Sequence, residues 1–156
     1  MKLEQAPVTG QETQADATPQ MAALSQFYRA LNTRDMQLMS RNWWQSDEAV
    51  MDNPVGGIKR GWDEIREVYA RVFANPAPFR FEFYDYSFHQ TPELFYVAGR
   101  ERGEYRTGDV VLPMAIRTSR LFRLIDGQWK QAHHHGSIDD PGLLLQYQQA
   151  VRGAPA

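Results

Sequence analysis

The chain reads as an α+β fold. A strongly bent antiparallel sheet curls into a cone-shaped barrel, three N-terminal helices close one of its faces, and a short C-terminal helix follows. Three observations carry this. In the first third, Leu24, Phe27, Tyr28 and Leu31 recur at helical spacing. From Phe79 to Ile138 the pattern becomes alternation, as in Phe79, Phe81 and Phe83. Finally, Asp126-Gly127 separates two alternating runs, the strongest short-range hairpin signal a sequence offers. Helices first and a bent sheet afterwards imply helices gathered on one sheet face.

Taken in order, residues 1–18 are rich in Gln, Thr, Ala, Pro and Glu and are expected to form a mobile polar arm. The domain spans 19–139. Its first helix starts at Pro19 and ends at Asn32-Thr33-Arg34; Asp35 is a good N-cap for a second helix carrying Met36, Met39 and Trp43. Glu48–Asp52 reads as a brief strand ended by Asn53-Pro54 and Gly56-Gly57. A third helix begins near Gly61, with Asp63 and Glu64 in its first turn, and stops at Pro76 and Pro78. Past Asp85 the apolar parity shifts to Tyr84, Tyr86 and Phe88, which predicts a bulge. Thr91-Pro92-Glu93 and Thr107-Gly108-Asp109 join the long strands Leu94–Tyr105 and Val110–Ile125. Residues 140–156 form a C-terminal helix, opened by Asp140-Pro141, and a tail.

At 156 residues one core is expected. A net charge of −2 argues against nucleic acid or an anionic membrane as main partner. The absence of cysteine excludes disulfides and thiolate chemistry. No apolar run suggests a membrane span or a secretory signal, so a cytoplasmic protein without cofactor is expected.

Three stretches carry a family resemblance: FYRALNTRD (27–35), MDNPVGGIKRGWDEIREVYARVF (51–73) and RLFRLIDGQWKQAHHHGS (120–137). Over about Gln20 to Ile138 the chain resembles the nuclear transport factor 2-like, or SnoaL-like, superfamily. The last stretch is similar to the association domain of calcium/calmodulin-dependent kinase II, which shares Arg at Arg120, Asp-Gly at Asp126-Gly127, Trp at Trp129, and His, His and Ser at His133, His135 and Ser137. The second resembles ketosteroid isomerases, where a carboxylate directly precedes Pro-x-Gly. Here that position is Asn53 and the carboxylate sits one residue earlier, at Asp52. The family's tyrosine and aspartic acid donors align with Phe27 and Arg120. All three isomerase roles are absent, so the chain is not a ketosteroid isomerase by that mechanism.

Arg120 is the most informative residue. Inside the cone its guanidinium needs a carboxylate, from Asp52, Glu104 or an anionic ligand, since an unpaired buried charge is costly. Arg100 shares a strand face with Arg102 and could add charge. Two hairpin loops are physically good. A two-residue Asp126-Gly127 loop sets Arg120 opposite His133; a three-residue Ile125-Asp126-Gly127 loop sets it opposite Ala132, with His134 next on that face. The resemblance favours the second and so places His134 inside, as the best catalytic candidate. Trp129, His133 and His135 then share the convex face, which the resemblance makes a dimer surface. His133 and His135 match a two-ligand metal spacing, but no third ligand is evident and no metal is expected. The pocket is expected to comprise Arg120, His134, Phe122, Tyr28, Asn53, Arg100 and Tyr96. The resulting expectation is a homodimer binding a small hydrophobic acid, ketone or enol, with acid–base chemistry of isomerase, cyclase or dehydratase type. The alternative is a non-catalytic association, dimerisation or ligand-binding module.

Overall fold

The structure, a computed structural model, describes residues 5–76 and 80–152. Phe79 and Pro78, the first four residues of the expected arm and the last four of the tail lie outside these residues. Helix α1 (Pro19–Thr33) begins where the Thr18 hydroxyl accepts the Met21 amide at 3.2 Å, with Pro19 at its first position. It ends because Arg34 turns left-handed, φ 54°. Asp35 immediately caps α2 (Met36–Asn42), its carboxylate accepting the Leu38 amide at 2.9 Å. After β1 (Val50–Asp52) and β2 (Lys59–Arg60), α3 (Trp62–Ala74) starts behind Gly61, with Asp63 and Glu64 in its first turn. These are the three helices the sequence predicts.

Four long strands follow: β3 (Arg80–Gln90), β4 (Leu94–Thr107), β5 (Val110–Ile125) and β6 (Gln128–Ser137), then α4 (Pro141–Arg152). The six-stranded sheet has the order β2-β1-β6-β5-β4-β3 and is curled but not closed. Alternation along β4 and β5 is strict: Phe95, Val97, Glu101, Tyr105, Leu112, Met114, Ile116, Thr118, Arg120 and Phe122 are buried on the concave side. The expected bulge in β3 falls at Asp85, φ 48°, between the pairs Tyr84–Arg100 and Ser87–Ala98. Gly99 is required there, because a Cβ would stand 2.5 Å from Tyr86 Cβ. The helices bury Leu24, Phe27, Tyr28, Met39, Trp43, Ile65 and Tyr69 against Phe83, Phe95, Val97 and Phe122. A second cluster, Phe81, Tyr105, Leu112, Met114, Ile116 and Ile138, is covered by Leu143, Leu144, Tyr147 and Val151 of α4. The Gln148 amide (2.9 Å) and the Arg152 guanidinium (3.1 Å) donate to the Val55 carbonyl and pin that helix. Among the described residues no helix is long and apolar enough to cross a membrane.

The hairpin corrects the preferred three-residue loop. Ile125 pairs with Gln128, and Asp126 (φ 50°) and Gly127 (φ 79°) form a two-residue turn with both residues left-handed, the geometry that fits the strands' twist. A second event follows four pairs later. Phe122 pairs with Gln131 but Leu121 pairs with His133, so Ala132 is an extra residue in β6. Side chains point inward at odd positions before this bulge and at even positions after it.

The arm also departs from expectation in its described part. Val8 exchanges backbone hydrogen bonds with Phe83 (2.8 and 2.9 Å), is buried, and covers the β3 edge. The Glu12 carboxylate gathers the Thr9 and Gly10 amides and the Ser25 hydroxyl. Burial pushes the Glu12 carboxyl up, but these donors outweigh it and hold it below its ordinary value. The folded chain therefore binds this proton less tightly than the unfolded one. The stabilisation is complete above about pH 4.5 and is lost as pH falls through the lower folded value. Glu12→Gln is expected to cost about 1–2 kcal/mol at pH 7 and less at pH 3 in urea unfolding; an equal cost at both would show that the charge does not hold the arm.

Candidate functional site

Arg120 lies inside the cone, 2% exposed. β5 puts it there by alternation, between Thr118 and Phe122. Its Nη2 meets Glu101 Oε1 at 2.7 Å, its Nη1 donates to Gln131 Oε1 at 2.8 Å, and its Nε lies 3.2 Å from the Tyr28 hydroxyl. Tyr28 in turn donates to Glu101 Oε1 at 2.7 Å. The Phe27 ring covers the guanidinium at 3.5 Å. Gln131 continues the network to Asn42 Oδ1 (3.0 Å), and Asn42 to the Ala23 carbonyl (2.8 Å) and Gln26 (3.0 Å). Burial alone would lower the arginine's pKa; the phenol of Tyr28 and the carboxylate of Glu101 reverse this and raise it. Burial pushes the Tyr28 phenol far up. It also raises Tyr69, to about 12.

The carboxylate that meets Arg120 is thus neither Asp52 nor Glu104 but Glu101. The signal was present: Phe95, Val97, Glu101 and Tyr105 share one parity of β4, whereas Glu104 lies on the other and pairs with Arg106 at 2.8 Å. Gln131 and Asn42, the polar links behind the guanidinium, carried no comparable mark in the sequence.

His134 is buried and is the cross-strand partner of Arg120. The expected inward position therefore stands in the structure, though the Ala132 bulge produces it and not the loop. Its Nδ1 lies 3.3 Å from the Ser119 carbonyl. Burial, then the neighbouring Arg120 charge, hold its pKa well below the ordinary imidazole value, so the ring is neutral. Pro54 lies close beside it, because Gly136 leaves room: a Cβ there would sit 3.1 Å from Pro54 Cδ and 3.3 Å from His134 Cε1. The Trp43 indole nitrogen and the Thr118 hydroxyl are buried without a hydrogen-bond partner among the described residues.

Phe122 and Tyr28 belong to this interior, but three other expected pocket residues do not. Tyr96 is on the outward parity of β4, 40% exposed and stacked on His89 at 4.6 Å. Arg100 is outward too, its Nε 3.3 Å from Asp85. Asn53 turns back on its own loop, accepting the Val55 amide at 3.0 Å. Trp129 leaves the expected convex face as well. It lies before the bulge, on the side of Gln131, and its ring meets Phe95 edge-on at 5.2 Å. His133 and His135 lie after the bulge and face outward. His133 Nδ1 is 3.0 Å from the Val50 carbonyl and His135 Nδ1 is 2.5 Å from Asp52 Oδ2. Among the described residues no three His, Cys, Asp or Glu are grouped to hold a metal.

Chemically, the interior is a neutralised ion pair whose guanidinium donates through all three of its nitrogens, beside a neutral imidazole. Phe27, Tyr28, Trp43, Phe83, Phe95, Phe122 and Gln131, each almost wholly buried, fill the space around it. Glu101→Gln, which leaves the guanidinium uncompensated, is expected to cost about 3–5 kcal/mol in urea unfolding; the double change Arg120→Met with Glu101→Met should recover much of it. A single variant near wild-type stability would refute the pairing. His134 binds its proton less tightly folded than unfolded, so its stabilisation is complete above about pH 6.5 and declines as pH falls below it. Its Cε1 proton resonance should stay at the neutral position from about pH 7.5 to 5.5, whereas a midpoint near 6.5 would place the ring in water.

The model of the SnoaL-like domain matches residues 21–141. The F-box protein SKIP8 of Arabidopsis thaliana is 22% identical over 146 residues; the match takes in 93% of this chain, and the chain spans 59% of that protein's length. Two solved structures share the fold. One, from Streptomyces avermitilis, is provisionally described as a dehydratase of the NTF2-like family (TM-score 0.68, 20% identity, 74% of this chain and 90% of that one). The other, from Thiobacillus denitrificans, is provisionally described as a calcium/calmodulin-dependent protein kinase type II association domain (TM-score 0.68, 21% identity, 79% and 96%). With curled sheet, helical layer and family match in agreement, this chain belongs to the SnoaL-like domain family.

Proposed function

We propose that the chain is a non-catalytic association module, a homodimer built on the outward face of its curled sheet. One observation carries this reading: the guanidinium of Arg120, on which binding of a hydrophobic acid, ketone or enol would depend, is matched inside the fold by Glu101, Gln131 and Tyr28. A ligand acid would have to displace Glu101 from a dry site, at a cost of several kcal/mol. The space such a ligand requires is taken by Phe27, Trp43 and Phe122. His134, held neutral by burial and the Arg120 charge, and Tyr28, pushed far above its ordinary range by burial, are both poorly matched to proton exchange near neutrality.

The outward face offers the contrasting surface. Register aligns Tyr96, Leu121 and His133 in one row across β4, β5 and β6, with His89 stacked at its end. An amphipathic aromatic row of this kind is typical interface material. The relatives support the reading by their descriptions, one as an association domain and one as an F-box protein of which this chain covers only part.

Sedimentation velocity at about 10 μM is expected to show a dimer. Tyr96→Glu should raise its dissociation constant at least about thirtyfold, the equivalent of about 2 kcal/mol, with an unchanged circular dichroism spectrum. A monomeric wild type, or a stoichiometric small molecule retained in native mass spectrometry, would overturn the reading.

A further inference from the structure

The sheet register sets two arginines directly opposite each other on the outward face, Arg100 of β4 and Arg117 of β5. Like charges at opposed positions destabilise a sheet. Here each is drawn toward a different flank. Arg100 Nε reaches Asp85 on β3 at 3.3 Å; Arg117 Nε reaches Asp139 at 2.8 Å and the Ser137 hydroxyl of β6 at 3.3 Å. Both side chains are more than half exposed. Only the Nε edge of each guanidinium is engaged, and among the described residues the terminal amino groups carry no hydrogen bond. Between the two lies a trough of about 470 Å³. Small side chains, Ala98 and Ser119, make its floor, and Ser137 and His135 line the β6 side. His135 is itself fixed: Asp52 engages Nδ1 at 2.5 Å, which leaves Nε2 as the ring atom free to meet a ligand.

We propose that this trough is a binding site for a small doubly charged oxyanion, of the phosphomonoester or dicarboxylate class, bridging the terminal amino groups of Arg100 and Arg117. Planar guanidinium edges recognise such oxygens in pairs. The hydroxyls of Ser119 and Ser137 supply neutral donors. Asp85 and Asp139 each engage the Nε edge of one guanidinium, and both arginines line the trough. An oxyanion between the arginines also removes the repulsion that the register builds in. The volume suits a metabolite-sized ligand. The site lies beside the Tyr96 row, goes beyond the association reading and stands without it.

Isothermal titration with inorganic phosphate, and separately with succinate, against sodium chloride of matched ionic strength tests this on the full chain. At least one should give saturable heat at millimolar concentration, and the tighter of the two assigns the class. Arg100→Gln and Arg117→Gln should each weaken binding at least tenfold. Arg106→Gln, whose guanidinium sits on the same face with Glu104 and outside the trough, should leave it unchanged. No saturable heat with either anion, or an equal loss in all three variants, overturns the proposal. Sedimentation is read separately: a monomer that still binds phosphate defeats only the association reading, and a dimer that binds neither anion defeats only this one.

Discussion

The pairing of Arg120 with Glu101 constrains the rest of the molecule. A guanidinium and a carboxylate that are almost wholly out of water impose a desolvation penalty of several kcal/mol each, returned only if geometry is good and the remaining donors are met. That requirement ties five elements together. β4 brings Glu101, β5 brings Arg120, β6 brings Gln131, α1 brings Tyr28 and α2 brings Asn42 behind them. Aromatic rings then pack around the polar centre, Phe27 flat on the guanidinium and Tyr28 stacked near Phe83. An apolar core of equal volume would tolerate small slips of helix against sheet. This one penalises them, because each slip strands a charge.

The same constraint separates the faces of the sheet in chemical role. On the concave side Arg120, Glu101, Tyr28, Gln131 and Asn42 are spent on one another. On the convex side, ion pairs such as Arg102 with Glu82 and Arg106 with Glu104 are exposed and individually contribute little. Side chains there remain available to whatever approaches. The curled sheet of this SnoaL-like domain thus has an interior occupied by its own charges and rings and an outward face of solvent-facing ion pairs.

Much of this was legible in the sequence. Thr18, Asp35 and Gly61 mark the helix starts because orphan amides at a helix N-terminus select such residues. The bulge at Asp85 showed as a parity change, and Asp126-Gly127 as a turn needing two left-handed residues. What escaped was non-local. Nothing in HHH announces which imidazole turns inward, since that depends on an extra residue at Ala132 in a strand whose other neighbours are β1 and Trp43. Trp129 went to the wrong face for the same reason. Glu101 was overlooked in favour of Glu104, although strict alternation distinguishes them. Composition registers the polarity of the arm but not that Val8 meets an open strand edge or that Glu12 finds donors in Thr9, Gly10 and Ser25.

The extra residue in β6 has a consequence for how this strand can change. Its two halves carry independent inside-out assignments, joined at one alanine. Deleting that alanine would bring Gln131 and His133 into unbroken register with Phe122 and Leu121 and leave every imidazole on its present face, whereas flattening the bulge with the alanine kept would carry His133 and His135 into the cone and His134 to the surface beside β1. The conformation of one residue, bulged or flattened, thus decides which imidazoles are hidden and which are displayed, with the order of side chains along the chain unchanged.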